Sequence, residues 1–137
     1  YQQVIMQHNR EPVAYEKRPE ASIVIEAYNP LCGDQFKLYL EMEEDRVREV
    51  HFHGYGCAIS KAAASILVKK IKGKTVEEVR ELIERFSRIV RPEGGAIPEN
   101  EDEEMAAFAA AREFPARLQC AVLTWEALEK YLKKLES

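Results

Sequence analysis

The sequence predicts an α+β fold: a three-stranded antiparallel sheet with helices packed on one face. In the first half of the chain, apolar side chains recur at every second residue in three segments. In the second half they recur at every third or fourth residue, as in amphipathic helices. A chain of 137 residues is long enough for one domain with a core and too short for two. We therefore expect a single domain over residues 1–137 with strands first and helices after them.

The strands are expected after a short N-terminal helix. Residues 1–9 place apolar side chains at helical spacing, and Pro12 ends that pattern. Residues 22–28, 36–42 and 47–53 alternate apolar and polar side chains, as a strand with one buried face requires. Because the connections between them are short, we expect an antiparallel meander.

Two helices are expected next. The run from Cys57 is rich in Ala and long side chains, and it stops at Gly73, where a left-handed residue commonly ends a helix. A capping box opens the second helix at Thr75, and the apolar stripe continues to about Val90.

Residues 91–113 form a linker-like acidic insertion before the last helix. Five acids fall within positions 99–104, and removing them from the net charge of −4 leaves +1. We expect this acidic run to be a solvated loop. A short Ala-rich helix is expected at 105–112, and a terminal amphipathic helix from Leu118.

Composition excludes several classes of protein. The chain lacks a basic footprint for nucleic acid, an apolar run near the ~20 residues that span a bilayer, and a signal-peptide pattern at its start. We therefore expect a cytoplasmic protein that binds neither nucleic acid nor membranes. Its odd number of cysteines, three, points to reduced thiols used in metal or redox chemistry rather than to a disulfide framework.

Each cysteine lies at a junction between predicted elements. Cys32 lies in the turn between the first two strands, Cys57 at a strand-to-helix transition, and Cys120 at the expected start of the last helix. Exposed N–H groups at a helix N-terminus stabilise a thiolate, so these are reactive or ligating positions. Asp34 follows Cys32 by two residues and could face the same side. Three thiolates and a carboxylate suit tetrahedral zinc and would also serve iron. The alternatives are that the thiols are small buried side chains and that Asp34 caps its own turn.

Four further side chains are weaker candidates. His51 and His53 share one face of the third strand and could approach the site. Lys61, one helical turn after the second cysteine, could stabilise thiolates, and Arg117, three residues before the third, could contact the site or dock a partner. The alternative for each is an ordinary exposed side chain.

The sequence around the cysteines resembles that of the U-type iron-sulfur assembly proteins, the IscU and SufU family. The matching blocks are NPLCGD at 29–34, GYGCAIS at 54–60, ARLQC at 116–120 and WEAL at 125–128. Residues 1–8, YQQVIMQH, also resemble the first helix of the SufU branch. This resemblance implies the same α+β fold and a shallow surface site that holds zinc or a 2Fe-2S cluster. The implied ligands are Cys32, Asp34, Cys57 and Cys120.

Two departures favour the SufU-like branch. IscU-type scaffolds have a His before the third cysteine and a Leu-Pro-Pro-Val-Lys segment nearby, where this chain has Gln119 and FPAR at 114–117. The insertion at 91–113 is also SufU-like. In one respect the chain differs from that branch as well, because Gln119 stands where SufU-type chains usually have a basic residue.

The function implied by the resemblance is iron-sulfur cluster assembly. Such a protein accepts sulfur from a cysteine desulfurase, supports or scaffolds a nascent cluster, and serves apo-protein recipients. Cys120 is the expected sulfur acceptor, with Cys57 as the other candidate nucleophile. The alternatives are a zinc-dependent sulfurtransferase without a scaffold role, which would be an enzyme, and a structural zinc module. A domain of this size hardly needs a metal for its core, which argues against the structural module.

Overall fold

The computed structural model describes residues 2–31 and 33–136. Helix α1 (Gln2–Arg10) is followed by strands β1 (Ile23–Asn29), β2 (Asp34–Glu43) and β3 (Arg46–Tyr55). The later helices are α2 (Ala58–Ile71), α3 (Val76–Val90), α4 (Glu103–Ala106) and α5 (Pro115–Glu136). Two 3₁₀ segments, Pro92–Gly94 and Ala107–Glu113, flank α4.

The three strands form an antiparallel meander in the order β1-β2-β3, so the predicted fold is confirmed. Alternate side chains of β2, including Phe36 and Leu38, are fully buried against the helices. The segment after α1 runs along the free edge of β3, where the Phe52 N–H donates to the Ala14 carbonyl at 3.1 Å. The chain then passes to β1 at the other edge of the sheet.

The core lies between the sheet and helices α2, α3 and α5. Phe86 stacks on Trp125 with ring centroids 3.9 Å apart, and the Trp125 indole N–H donates to the Ala63 carbonyl at 3.0 Å. Both aromatic side chains are fully buried. This apolar contact joins α3 and α5 to α2 and fixes the position from which α5 approaches the sheet.

Helix boundaries confirm one prediction and correct another. The capping box at Thr75 is present, with reciprocal hydrogen bonds between Thr75 and Glu78. Helix α5, however, begins at Pro115, because proline suits the first position of a helix, where its missing N–H costs nothing. The prediction that Cys120 opens the last helix is therefore wrong: Cys120 lies in the second turn, where the field of the helix terminus has largely faded.

The prediction of a solvated acidic loop is wrong for three of its residues. Glu101 pairs with Arg85 and has a side chain only 9% exposed. Asp102 and Glu104 both bind the Lys70 ammonium group at 2.8 Å. Burial alone would raise the pKa of Glu104, but hydrogen bonds from Lys70, Lys69 and His8 outweigh it and lower the pKa to about 2. These long-range ion pairs have no local signature in the sequence.

His8 extends this network from α1 to α2. Its imidazole is buried between the Ser65 hydroxyl, 2.7 Å from Nδ1, and the Glu104 carboxylate, 2.5 Å from Nε2. The insertion is thus fastened to both helices. The Ala-rich stretch at the end of the insertion is helical, but only α4 is α-helical and Ala107–Glu113 is 3₁₀.

Within residues 2–31 and 33–136, no helix is both long and apolar enough to cross a bilayer.

Candidate metal centre

Three side chains that are far apart in the sequence meet at one end of the sheet. A carboxylate oxygen of Asp34, the Cys57 sulfur and the Cys120 sulfur all lie within 4.8 Å of one another. They come from the first residue of β2, the residue before α2, and the second turn of α5. Asp34 is 2% exposed, Cys57 is exposed and Cys120 is half-buried. The cluster therefore places a buried carboxylate beneath two accessible thiols.

Asp34 is oriented by its strand and by the backbone of the next loop. It occupies an inward position of β2, on the same face of the strand as the buried Phe36. The Cys57 N–H donates to Asp34 Oδ1 at 3.1 Å, and Cys57 Sγ lies 4.0 Å from Oδ2. Before it, Gly33 has a φ of +75°, a conformation that glycine adopts without strain. The Asp34 carboxylate is thus fixed before any metal arrives.

Cys57 is the N-cap of α2. Its sulfur accepts the Ser60 N–H at 3.4 Å, and the Ser60 hydroxyl donates to the Cys57 carbonyl at 3.0 Å. This arrangement holds the sulfur at the N-terminal end of a 14-residue helix.

Gly56 allows these groups to approach one another. A Cβ at this position would lie 2.7 Å from Asp34 Oδ1 and 2.6 Å from the Ser60 hydroxyl. Both distances are shorter than real Cβ contacts, so any side chain would displace the carboxylate or the hydroxyl.

The donor set fits a tetrahedral metal ion. Zinc with thiolate ligands at ~2.3 Å and a carboxylate at ~2.1 Å requires its ligand atoms to be about 3.5–3.8 Å apart. The three donors need shifts of only a few tenths of an ångström to about one ångström to reach that spacing. Cys32, the predicted fourth ligand, lies outside the described residues, so its role stays a prediction.

The weaker candidates are not brought into the ligand cluster among the described residues. His53 stacks on Tyr15 with ring centroids 4.5 Å apart, and the Lys61 ammonium lies 4.7 Å from the Tyr15 ring centroid. His51 faces away from the helices, across from Tyr39. Burial, followed by the charges of Lys17 and Lys61, lowers the pKa of the His53 imidazole.

Arg117 contacts its own segment rather than the ligands. Its guanidinium lies 4.9 Å from the ring centroid of Phe114, and both residues are exposed. A docking role for Arg117 stays a prediction.

The sequence predicts that glycines beside the thiols, such as Gly56, allow a close approach of the backbone, but it assigns no role to Ser60. The signal was available in part, since a residue that can accept a hydrogen bond immediately before a helix bonds the N–H three residues later. That rule, applied to Cys57, identifies Ser60. The groups that approach Gly56, the Asp34 carboxylate and the Ser60 hydroxyl, are set by the fold and have no local signal.

Comparisons with known proteins agree with this geometry. The model of the NifU-like N terminal domain matches residues 1–121. The zinc-dependent sulfurtransferase SufU of Bacillus subtilis is 37% identical over 99% of this chain and 91% of its own length. The iron-sulfur cluster assembly scaffold protein IscU of Thermotoga maritima is 33% identical over 98% of this chain and 94% of its own.

A solved structure shows the same fold. The crystal structure of a protein from Fervidobacterium islandicum, described as an iron-sulfur cluster assembly scaffold for the SUF system, superposes with a TM-score of 0.86. It is 31% identical to this chain, and the match covers 96% of each. By the family model, its relatives and its fold, this chain belongs to the family of NifU-like N-terminal domains.

Proposed function

We propose that this protein accepts sulfur from a cysteine desulfurase and supports or scaffolds the formation of a nascent iron-sulfur cluster for apo-protein recipients. One observation carries the proposal: a carboxylate and two thiols from three separate elements lie within 4.8 Å of one another at an accessible surface. The relatives named SufU and IscU support the same assignment. Because the thiols must stay reduced, we propose that the protein works in the cytoplasm.

Sulfur transfer is a thiol exchange. A thiolate of this chain attacks the outer sulfur of the desulfurase persulfide, and a new sulfur–sulfur bond forms as the bond within the donor persulfide breaks. The electron pair leaves with the donor cysteine as its thiolate, and the proton of the transferred sulfur travels with that sulfur. No external oxidant or reductant is needed.

We assign the attack to Cys120. The Cys57 sulfur is the more exposed of the two, but it is held by the Ser60 N–H at the start of α2, whereas the half-buried Cys120 follows the exposed residues 114–117. A donor can therefore approach Cys120 without displacing a helix cap. Cys57 and Asp34 then flank the new persulfide.

Asp34, Cys57 and Cys120, with Cys32 as the proposed fourth ligand, would hold zinc. When bound, zinc would keep the thiols deprotonated and protect them from oxidation. A nascent cluster is cargo at the same thiolates. The carboxylate is a harder and weaker ligand for iron than a thiolate, so it would ease release of the cluster.

A zinc-dependent sulfurtransferase without a scaffold role is the second candidate. Gln119 stands where IscU-type scaffolds have a histidine, and the SufU of B. subtilis, which bears that activity in its name, aligns over 99% of this chain. In this case the persulfide would be the product passed on, and no iron would bind.

One anaerobic experiment separates the two candidates. The protein is incubated with a cysteine desulfurase and cysteine, with and without ferrous iron, and followed by protein mass and visible absorption. A scaffold first gains sulfur and then, with iron, the absorption of a cluster. A sulfurtransferase gains sulfur and shows no cluster absorption, and a protein that gains no sulfur contradicts both.

A further inference from the structure

The face of the sheet that points away from the helices carries a groove outside the ligand cluster. The chain segment around Lys17 and Pro19 forms one wall, and outward side chains of β2 and β3 form the floor. The cavity volume is about 540 Å³. We call this feature the basic groove; its polar side chains are Lys17, Gln35, Lys37, Tyr39, His53 and Tyr55.

The basic groove is positive in a protein of net charge −4. Lys17 and Lys37 are exposed, and none of the described residues that line the groove is acidic. Lys37 pairs at 3.8 Å with Glu26 on β1, a solvent-exposed contact that is weak, and the nearby Glu16 pairs with Arg18. The lowered pKa of the His53 imidazole, due to burial and then to Lys17 and Lys61, is consistent with this positive surface.

The basic groove ends beside the ligand cluster. Its last floor residues, Gln35 and Tyr55, are cross-strand partners, and the Tyr55 hydroxyl donates to Gln35 Oε1 at 3.1 Å. Gln35 directly follows Asp34, and Tyr55 precedes Cys57 by two residues. A partner whose segment lies in the groove is therefore anchored at the end of the sheet where the thiols are.

We propose that the basic groove binds an acidic peptide segment of the protein that delivers sulfur to this chain. The inference rests on the proposed function and names how the donor is held. Charge complementarity supports it, because two exposed ammonium groups and a row of side-chain donors face an open channel that contains no carboxylate among the described residues. An extended Glu- or Asp-rich segment matches both the shape and the charge.

The first test measures peptide binding alone. An acetylated hexaglutamate peptide is titrated into the zinc-loaded full chain, with a hexalysine peptide as the charge control. Charge reversal by Lys17→Glu with Lys37→Glu should weaken hexaglutamate binding about tenfold. The matched control is Lys72→Glu with Lys133→Glu. It reverses the charge of two exposed lysines whose ammonium groups lie 3.9 and 4.0 Å from their partner carboxylates, and it should change peptide binding little. The proposal is overturned if both double variants lose hexaglutamate affinity equally. It is also overturned if inorganic phosphate displaces the wild-type chain's hexaglutamate as well as free hexaglutamate does.

The second test measures sulfur transfer from a cysteine desulfurase at several salt concentrations. The groove variant should raise the KM for this protein about tenfold, with kcat unchanged and a weaker dependence on salt. Unchanged KM relative to the control variant overturns the proposal even if the peptide result holds. Failure of the wild-type chain to accept any sulfur contradicts the proposed function instead, and the peptide titration then still decides whether the groove binds acidic segments.

Discussion

Asp34 is the member of the ligand cluster whose chemistry differs from the rest. It is buried, it accepts the Cys57 N–H, and its oxygen is a harder ligand than the neighbouring sulfurs. A hydrogen bond of this kind typically contributes about 0.5–1.5 kcal/mol. The residue thus orders the loop before Cys57, and the proposed function gives it a second role as the weakest ligand of a bound iron-sulfur cluster.

These two roles predict the behaviour of Asp34→Ala. The variant should form a longer-lived reconstituted cluster, because the weakest ligand is gone while the thiolates remain. The decay of the visible absorption under a chelator measures that lifetime. An unchanged or shorter lifetime would count against the labile-ligand role.

Gly56 is the second residue whose chemistry the structure makes testable. Gly56→Ala places a methyl group against Asp34 Oδ1 and the Ser60 hydroxyl, so the carboxylate must move away from the Cys57 sulfur. We expect zinc affinity to fall about 10–100-fold, as when groups that orient ligands are lost. Competition with a chromophoric chelator gives the affinity, and circular dichroism checks that the fold is kept. Wild-type affinity in a folded variant would show that the close approach at Gly56 is dispensable.

Among the elements, the insertion is held both by charge and by apolar burial, since Met105 and Phe108 are fully buried in the core. Residues 101–104 are joined to α1, α2 and α3 by ion pairs, with Glu104 shared among three basic side chains. The carboxylate is largely shielded from solvent, so these contacts are stronger than ordinary surface pairs. The network holds in place the segment that leads into α5.

Glu104→Gln should therefore destabilise the protein at neutral pH by up to about 3 kcal/mol. The folded-state pKa is lowered to about 2, so the stabilisation is complete above the unfolded value of 4.5 and disappears as pH falls from there through 2. Urea unfolding at pH 7 and at pH 3 measures the difference. Glu103→Gln, at an exposed neighbouring position, is the control and should cost little at either pH. A cost for Glu104→Gln that does not shrink at low pH would contradict this account.

The elements also show what a sequence can and cannot predict. The strands and α3 have local signals, namely alternation and a capping box, so the sequence predicts their ends to within two residues. The sequence predicts the start of α5 at Leu118, three residues late. Proline is compatible both with a loop before a helix and with the first helical position, and here it opens the helix. The contacts of the acidic run join residues 16 to 96 positions apart, and no pattern within the run predicts them.

At the scale of the whole molecule, the fold and the family were predictable and the detail of the site was only partly so. The cysteine blocks identified the family because their residues and order are specific. The fold then brings Asp34, Cys57 and Cys120 together. These three residues span more than eighty positions of the chain, and they meet because α5 packs on the sheet. The spacing of the cysteines in the sequence does not predict that packing.

The position of the site at the edge of the core predicts the effect of zinc removal. The core is closed by apolar packing such as the stacking of Phe86 on Trp125, which uses no ligand side chain, so the apo-protein should stay folded. Bound zinc adds stability by mass action, about 3 kcal/mol when free zinc exceeds its Kd a hundredfold. Thermal unfolding before and after treatment with a chelator should show a lower Tm and a retained cooperative transition. Loss of the transition would favour a structural zinc module.

The central claim is that this protein accepts sulfur through Cys120. The most direct test is the mass of the Cys120→Ser variant after anaerobic incubation with a cysteine desulfurase and cysteine. The wild-type chain should gain a sulfur atom, and the variant should gain none. The variant should keep its helix and strand content, because Val122 and Trp125, not the Cys120 sulfur, pack that part of α5 into the core. A folded variant that gains sulfur at the wild-type rate would show that Cys120 is not the acceptor.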